Sequence, residues 1–502
     1  MSQHFDISLS SLVDAIKFEH YPGKGIGVKA AKSFAPGNVI FKKRAQVYVP
    51  LADGRSTTCA SCFKVALGKG EKPFLSFPDG TEDLFACAKC RSTYYCSKQC
   101  QVHDWVLYHR HECKQLAAMP AVPPSYVILM MRVFSLRGES RTAFFNQFNL
   151  LKDHEYLKPG TKEFDDLLLF SKGAKEYSKT RLNDHEALRF FAKGTIHSAT
   201  IVSSLFDSVG IMLDLLLARI NHSCQPNCVL VFDGSVFSVV AMANINDGDE
   251  ITISYIDNTQ NKRYRKRELK KRYFFDCVCE KCNAPENDWF KCPNCNAGFA
   301  CDEVSRECNN CHVNLPKSPD ELDTELQSNI AELESVADFQ KSVQQISGAF
   351  KTGMVLLHRS PLAHQISTHF AYFKHRNSCI EMRDVAAAEY FNIDPLLFKG
   401  LPKFYPIRIA HGARLLYAQI CNYVDKPSNH TIASLWALAN ELKDLLTDAA
   451  RKETRLFCWI EGQLNEIQKR LPSLSLRAES LDLSLDLLSA RGHVYIQSLL
   501  GA

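Results

Sequence analysis

The sequence predicts an α+β chain of several domains, with metal-binding, β-rich and helical parts. Three observations carry this. Seventeen of the 20 cysteines fall between Cys59 and Cys311, mostly in closely spaced pairs. Short apolar alternations broken by turn residues run from Val229 to Tyr255. Beyond residue 319 apolar residues recur at spacings of three and four, as in Leu435 to Leu446 and Leu456 to Leu471.

The totals bound the problem. A length of 502 residues implies two to four domains. A hydrophobic share of 46% and a charged share of 23% fit a globular chain. The net charge of +5, from 60 basic and 55 acidic residues, is too balanced to argue for nucleic-acid binding. The start, Met1 to Asp6, shows no secretory pattern, and no apolar run is long enough to span a bilayer. Paired thiols in that setting favour zinc over disulfides.

Residues 14 to 50 read as short strands and turns. Gly23-Lys24-Gly25-Ile26-Gly27-Val28 is turn-rich but is no dinucleotide fingerprint, because its third glycine comes one residue early. Ala35-Pro36-Gly37-Asn38 is a second turn, and a strand follows over Val39 to Phe41.

Eight metal ligands lie between 59 and 113: Cys59 and Cys62, Cys87 and Cys90, Cys96 and Cys100, His109 and Cys113. Zinc takes four such ligands in a tetrahedron, so eight make two closed structural sites. A segment this poor in apolar residues needs its metal to fold. His103 and His111 are spare and read as solvent-facing.

Past Pro123-Pro124, residues 126 to 220 read as mostly helical, with His154 and His197 among them. Asn221-His222-Ser223-Cys224-Gln225-Pro226-Asn227-Cys228 follows. Then Val229 to Phe232 and Val236 to Val240 form a hairpin on Asp233-Gly234. A turn at Asn246 to Asp249 leads into Ile251 to Tyr255. No strand, glycine loop and helix unit is present, which excludes a Rossmann fold here. The basic run 262–272 reads as a solvated helix face, with nucleus-directing or nucleic-acid contact as the lesser option. Cys277-x-Cys279-x-x-Cys282 supplies three thiolates, one short of a closed site. Cys292, Cys295, Cys308 and Cys311 form a further paired set, a small ribbon for another ion.

Taken in this order, the motifs resemble the SET-and-MYND-domain family of protein lysine methyltransferases. The resemblance covers residues 15 to 282. It implies a split β-rich SET domain with an inserted MYND zinc finger and a helical C-terminal domain. The boundaries are 1–55 for the first SET part, 56–116 for the finger and 117–205 for a helical linker and insert. The core SET part follows at 206–258, the post-SET zinc site at 259–284, a ribbon at 285–318 and the helical domain at 319–502. Helices resembling tetratricopeptide repeats are expected there, yet no 34-residue period is visible.

The resemblance also implies roles. The finger interleaves its ligands, pairing Cys59, Cys62, Cys96 and Cys100 on one ion and Cys87, Cys90, His109 and Cys113 on the other. Cys224 completes the site of Cys277, Cys279 and Cys282. The cofactor is S-adenosylmethionine, with three structural zinc ions and a fourth from the ribbon. Lys24, Gly25 and Ile26 hold its methionine end, partly through backbone. Asn221 and His222 hold its amine and adenine. Tyr273, Phe274 and Phe275 pack on its rings, and His154, with His197 as second choice, lies against the adenine. Tyr255 takes the catalytic position, orienting the methyl and the lysine nitrogen. In-line displacement at a sulfonium methyl needs alignment and a neutral amine rather than an acid or a metal. A phenol of pKa about 10 is a poor base at neutral pH.

The expected partner is a substrate protein's lysine, histone or not, with no membrane and a monomeric chain, in cytoplasm and nucleus. The alternative is a catalytically silent MYND-finger adaptor that binds proline-rich peptides.

Overall fold

Strands that precede the cysteine-rich segment pair with strands 160 to 223 positions later. This organises the computed structural model. It describes residues 14–66, 79–81, 83–152, 159–258, 262–284, 294–295, 307–308, 310–314, 321, 384, 386–387, 390–391, 401–425, 429–448, 454–470 and 489–490. The chain divides into two units. The first holds Met1–Tyr255, Lys270–Phe275 and Ala449–Trp459; the second holds Ile256–Leu269, Asp276–Asp448 and Ile460–Ala502.

The first unit is mixed helix and strand. Its main strands are β1 (Ile16–Tyr21), β2 (Gly25–Ala30), β3 (Val39–Arg44), β4 (Val47–Pro50), β5 (Ser198–Val202) and β6 (Ser208–Leu213). Next come β7 (Asn221–His222), β8 (Cys228–Asp233), β9 (Val236–Ala241) and β10 (Glu250–Ile253). They form three sheets in the orders β1-β2-β10-β7, β4-β6-β5 and β8-β9-β3. β10 runs antiparallel to β2, with Glu250 opposite Lys29, and parallel to β7, with Asn221 opposite Thr252. The β8–β9 hairpin turns through Gly234 and Ser235. Gly234 sits at φ +63°, the left-handed region a two-residue turn asks of its first position.

Helices fill the space between the strands. The finger carries α1 (Lys98–Asp104), a π-helical turn at Trp105–His109 and α2 (Arg110–Ala118). Beyond it lie α3 (Ser125–Phe134), α4 (Gly138–Asn149), α5 (Lys162–Ser178) and α6 (Asp184–His197). Thr161 caps α5, and Lys179 in the left-handed region ends it. Asn183 and Glu186 close a capping box on α6. α3 is apolar on all sides and packs against β4, β6, α5 and α6, so every residue from Val127 to Phe134 is buried.

The helical expectation for residues 126 to 220 holds only as far as His197. Ser198–Val202 and Ser208–Leu213 are strands instead. Val209, Ile211, Met212 and Leu213 are a continuous buried run that pairs with β4 on one side and β5 on the other. A fully buried strand and a buried helix share that pattern in the sequence.

The second unit contains the short helix Glu280–Asn283 and two long ones, Pro406–Asp425 and Asn429–Asp448. The long pair packs through Ile409, Ala413, Leu416 and Ile420 against Leu435, Leu438, Leu442 and Leu446. A further helix, Arg455–Arg470, buries Leu456, Ile460, Leu464 and Ile467 at helical spacing.

Candidate functional site

The finger's ligand atoms gather in two interleaved groups. Cys59, Cys62, Cys96 and Cys100 form one and Cys87, Cys90, His109 and Cys113 the other, with ligand atoms within 4.8 Å of one another. A zinc–sulfur distance of about 2.3 Å puts sulfurs of one tetrahedron about 3.8 Å apart. Sulfur pairs here stand 3.5 Å apart in Cys62–Cys96, 3.6 Å in Cys96–Cys100 and 3.8 Å in Cys87–Cys113. That is far beyond a disulfide's roughly 2.05 Å and fits thiolates around a metal. His103 and His111 belong to neither group. Both are half-buried rather than solvent-facing, because His103 meets the Ser61 hydroxyl at 3.0 Å and His111 accepts from Arg110.

Behind the second group lies a buried polar network. His109 Nδ1 meets Glu112 at 3.3 Å, which leaves Nε2 facing Cys90 Sγ at 3.5 Å. Arg132 on α3 grips Glu112 through two hydrogen bonds of 3.0 and 2.7 Å and donates to the Tyr48 carbonyl. It also pairs with Asp104, which accepts from Tyr95. Burial alone would raise the Glu112 pKa, but Arg132 and His109 outweigh it and hold the carboxyl well below the usual carboxylate range. Asp104 and Glu112 are thus spent on Arg132 and support the ligands instead of joining them. A separate anchor, Arg455, joins the finger's Cys62 carbonyl to Asp79 and to Asp233 of the hairpin.

The second group of predicted residues converges beside β7 and β10. His222 Nδ1 accepts the Tyr255 backbone N–H at 3.0 Å, so the ring proton sits on Nε2, which faces Cys224 Sγ at 3.2 Å. Tyr255 donates its hydroxyl to the Ile220 carbonyl at 2.6 Å, and Tyr273 donates its own to the Tyr255 carbonyl. Ring centroids stand 4.9 Å apart for Tyr255–Tyr273, 5.3 Å for His222–Tyr255 and 6.0 Å for His222–Phe275. Phe274 takes a positive φ of 60°, which ends the helix Lys262–Tyr273 and turns Phe275 back toward His222. Burial pushes the Tyr255 phenol well up, and Tyr273 and Glu250 add to the shift. The group is a hydrogen-bond donor across the neutral range, as a poor base should be.

Lys24 and Asn221 meet on Glu250, a residue that sequence reasoning left between a turn and a strand with no role. Lys24 Nζ stands 2.6 Å from one carboxylate oxygen and Asn221 Nδ2 2.8 Å from the other. Gly25 and Ile26 open β2 next to them, and Lys152 donates to the Gly23 carbonyl. His197 bonds the Lys152 carbonyl, so it anchors the chain there. His154 lies outside the described residues. Both ring nitrogens of His222 are engaged inside the protein, which leaves its backbone and ring face for any ligand.

In the second unit the sulfurs of Cys277, Cys279 and Cys282 gather within 4.8 Å, as do those of Cys295, Cys308 and Cys311. Cys295 and Cys308 are 3.8 Å apart, and the Asn310 N–H points at Cys308 Sγ at 3.4 Å, an arrangement that fits thiolates around a metal. Cys292 lies outside the described residues.

Residues 59–113 match the MYND finger family. Over about half of its length the chain is similar to SET-and-MYND-domain lysine methyltransferases. The SET domain and MYND-type zinc finger protein 6 of Schizosaccharomyces pombe is 31% identical over 53% of this chain and 51% of its own length. The human histone-lysine N-methyltransferase SMYD3 is 30% identical over 53% of this chain and 60% of its own. The Arabidopsis thaliana histone-lysine N-methyltransferase ASHR1 is 30% identical over 52% and 54%. The chain thus spans between half and two thirds of the length of the curated relatives it matches.

Proposed function

We propose that this chain is an S-adenosylmethionine-dependent protein-lysine N-methyltransferase acting on histone or non-histone proteins. One observation carries the reading. His222 holds the Tyr255 backbone at 3.0 Å while Tyr273 and Phe275 close over the pair, which makes an aromatic-walled site around one phenol. In this reading residues 1–55 and 206–258 are one split SET domain. The pairing of β2 with β10 and of β3 with β9 across the finger supports it.

Lys24, Gly25, Ile26, Asn221 and the Tyr273–Phe275 segment would hold the cofactor, with His154 at the adenine. The cofactor supplies a sulfonium methyl as the electrophile. The rest falls to the protein. Tyr255 spends its proton on the Ile220 carbonyl, so its oxygen has lone pairs left for the N–H groups of an incoming amine. That contact turns the amine lone pair toward the methyl. Aromatic walls exclude water, which lowers the lysine pKa and favours the neutral nucleophile.

Zinc in this reading is structural throughout. Two ions sit in the finger, one on Cys277, Cys279 and Cys282 with Cys224 as fourth ligand, and one on Cys295, Cys308 and Cys311 with Cys292. The Nε2–H of His222 aimed at Cys224 Sγ supports thiolate character there. Free thiols on this scale suit the reducing cytoplasm and nucleus, where we place the enzyme.

Titration calorimetry with S-adenosylmethionine, followed by labelling of lysine peptides and cell extract, tests the reading. Cofactor binding with methyl transfer supports it; no cofactor binding overturns it. A second reading keeps the finger as a docking module for proline-rich peptides, because Val102, Trp105 and Val106 are exposed on it. Peptide binding without methyl transfer would favour that reading alone.

A further inference from the structure

Glu250 is a charged side chain that joins Lys24 to Asn221, and no motif assigned it a role. It opens β10, the strand between β2 and β7. That place lets its carboxylate reach Lys24, next to β2, and Asn221, on β7. The Glu250 side chain is only 17% exposed and its contact with Asn221 is partly buried, where charge-assisted hydrogen bonds hold geometry best, while the Lys24 contact lies at the surface.

The chemistry fixes the amide. A carboxylate only accepts, so the Asn221 group facing it is the NH2. The Asn221 carbonyl oxygen is thereby the atom left over, as an acceptor. Gly27 makes this arrangement possible. A Cβ there would overlap Asn221 Nδ2, so the β2 backbone must be bare for the amide to lie across it.

We infer that Glu250 is a positioning residue for the amino-acid end of the methyl donor: it turns the Asn221 carbonyl toward the donor's ammonium and holds the Lys24 ammonium where the donor's carboxylate needs it. The inference rests on the methyltransferase reading above. An α-amino acid presents one cation and one anion about a single carbon. The site presents one acceptor and one cation, and both are held by the same carboxylate. Glu250 itself touches neither ligand group; it acts through Asn221 and Lys24. Lys24 is the more exposed partner, so it is the arm that adjusts when a second carboxylate arrives.

The test compares two ligands by calorimetry, S-adenosylmethionine and 5′-methylthioadenosine, which has the same nucleoside but no amino-acid end. Glu250→Gln keeps the shape of the side chain and removes its charge. It is expected to weaken S-adenosylmethionine binding about tenfold and to leave 5′-methylthioadenosine unchanged, one charge-assisted contact being the difference. Lys24→Met is expected to show the same selectivity. The double variant should lose little more than either alone, because the two residues act as a pair. A Glu250→Gln protein that binds both ligands as the wild type does overturns the inference and leaves the methyltransferase reading intact. Equal loss of both ligands also overturns it, by showing a merely structural role. Should Glu250→Gln lack a cooperative melt, Lys24→Met decides alone, and an unchanged ligand ratio there refutes the inference. A wild-type protein that binds neither ligand strikes the methyltransferase reading itself.

Discussion

The Tyr255 hydroxyl lies 2.6 Å from the Ile220 carbonyl, one residue before Asn221. A single hydrogen bond therefore ties the end of one strand motif to the start of another. It directs the phenol and keeps its proton in place.

Tyr255→Phe should leave S-adenosylmethionine affinity within about twofold and cut methyl transfer about a hundredfold. Calorimetry reads the first and label incorporation the second. Because burial pushes the phenol up, the wild-type rate should rise with pH as the substrate amine deprotonates and should not turn down below about pH 10. A downturn in that range that Tyr255→Phe abolishes would contradict the assignment.

Metal analysis of the purified chain should return four zinc ions, one for each thiol group. Cys113→Ser should lower the count by one and leave the Cys59 group occupied. A strong chelator should unfold the finger, which has little apolar core of its own, with loss of near-ultraviolet signal from Trp105. A chain that stays folded with no metal would refute structural roles for these sites.

Arg132→Met should destabilise the fold by about 3–5 kcal/mol, because it strands the buried carboxylates of Glu112 and Asp104. The folded Glu112 carboxyl sits well below its unfolded value of about 4.3. Its contribution is therefore complete above that value and is lost as pH falls further toward the folded pKa. Acid melts of Glu112→Gln should be flatter than wild type over that window. Identical curves would show that the pair contributes nothing.

Gly27→Ala should weaken S-adenosylmethionine binding more than tenfold while the melting temperature moves by only a few degrees, since the added methyl displaces Asn221 and the Tyr21 ring rather than core. Unchanged affinity in the calorimeter would remove Asn221 from the donor site.

Which residues carry chemistry was legible because the signals are local. Cys-x-x-Cys pairs announce metal loops, and the run from Gly248 to Tyr255 alternates as a strand ending in a phenol. The strand at Ser208–Leu213 was missed because a continuous apolar run has no period to read. Glu112, Arg132, Arg455 and Glu250 were missed because an isolated charge looks the same whether it is buried or solvated.

The sequence by itself determined the metal-ligand pairs, the hairpin, the Asn-His motif and the phenol, since each depends on neighbours a few residues away. Only the tertiary structure decided which ring nitrogen of His222 carries the proton and that Lys24 and Glu250 meet across 226 positions, while the finger's thiol groups gather as the family resemblance implied. The physical reason is pairing between distant strands. β10 lies between β2 and β7, and the contacts made there depend on sheet order, which no stretch of residues encodes alone.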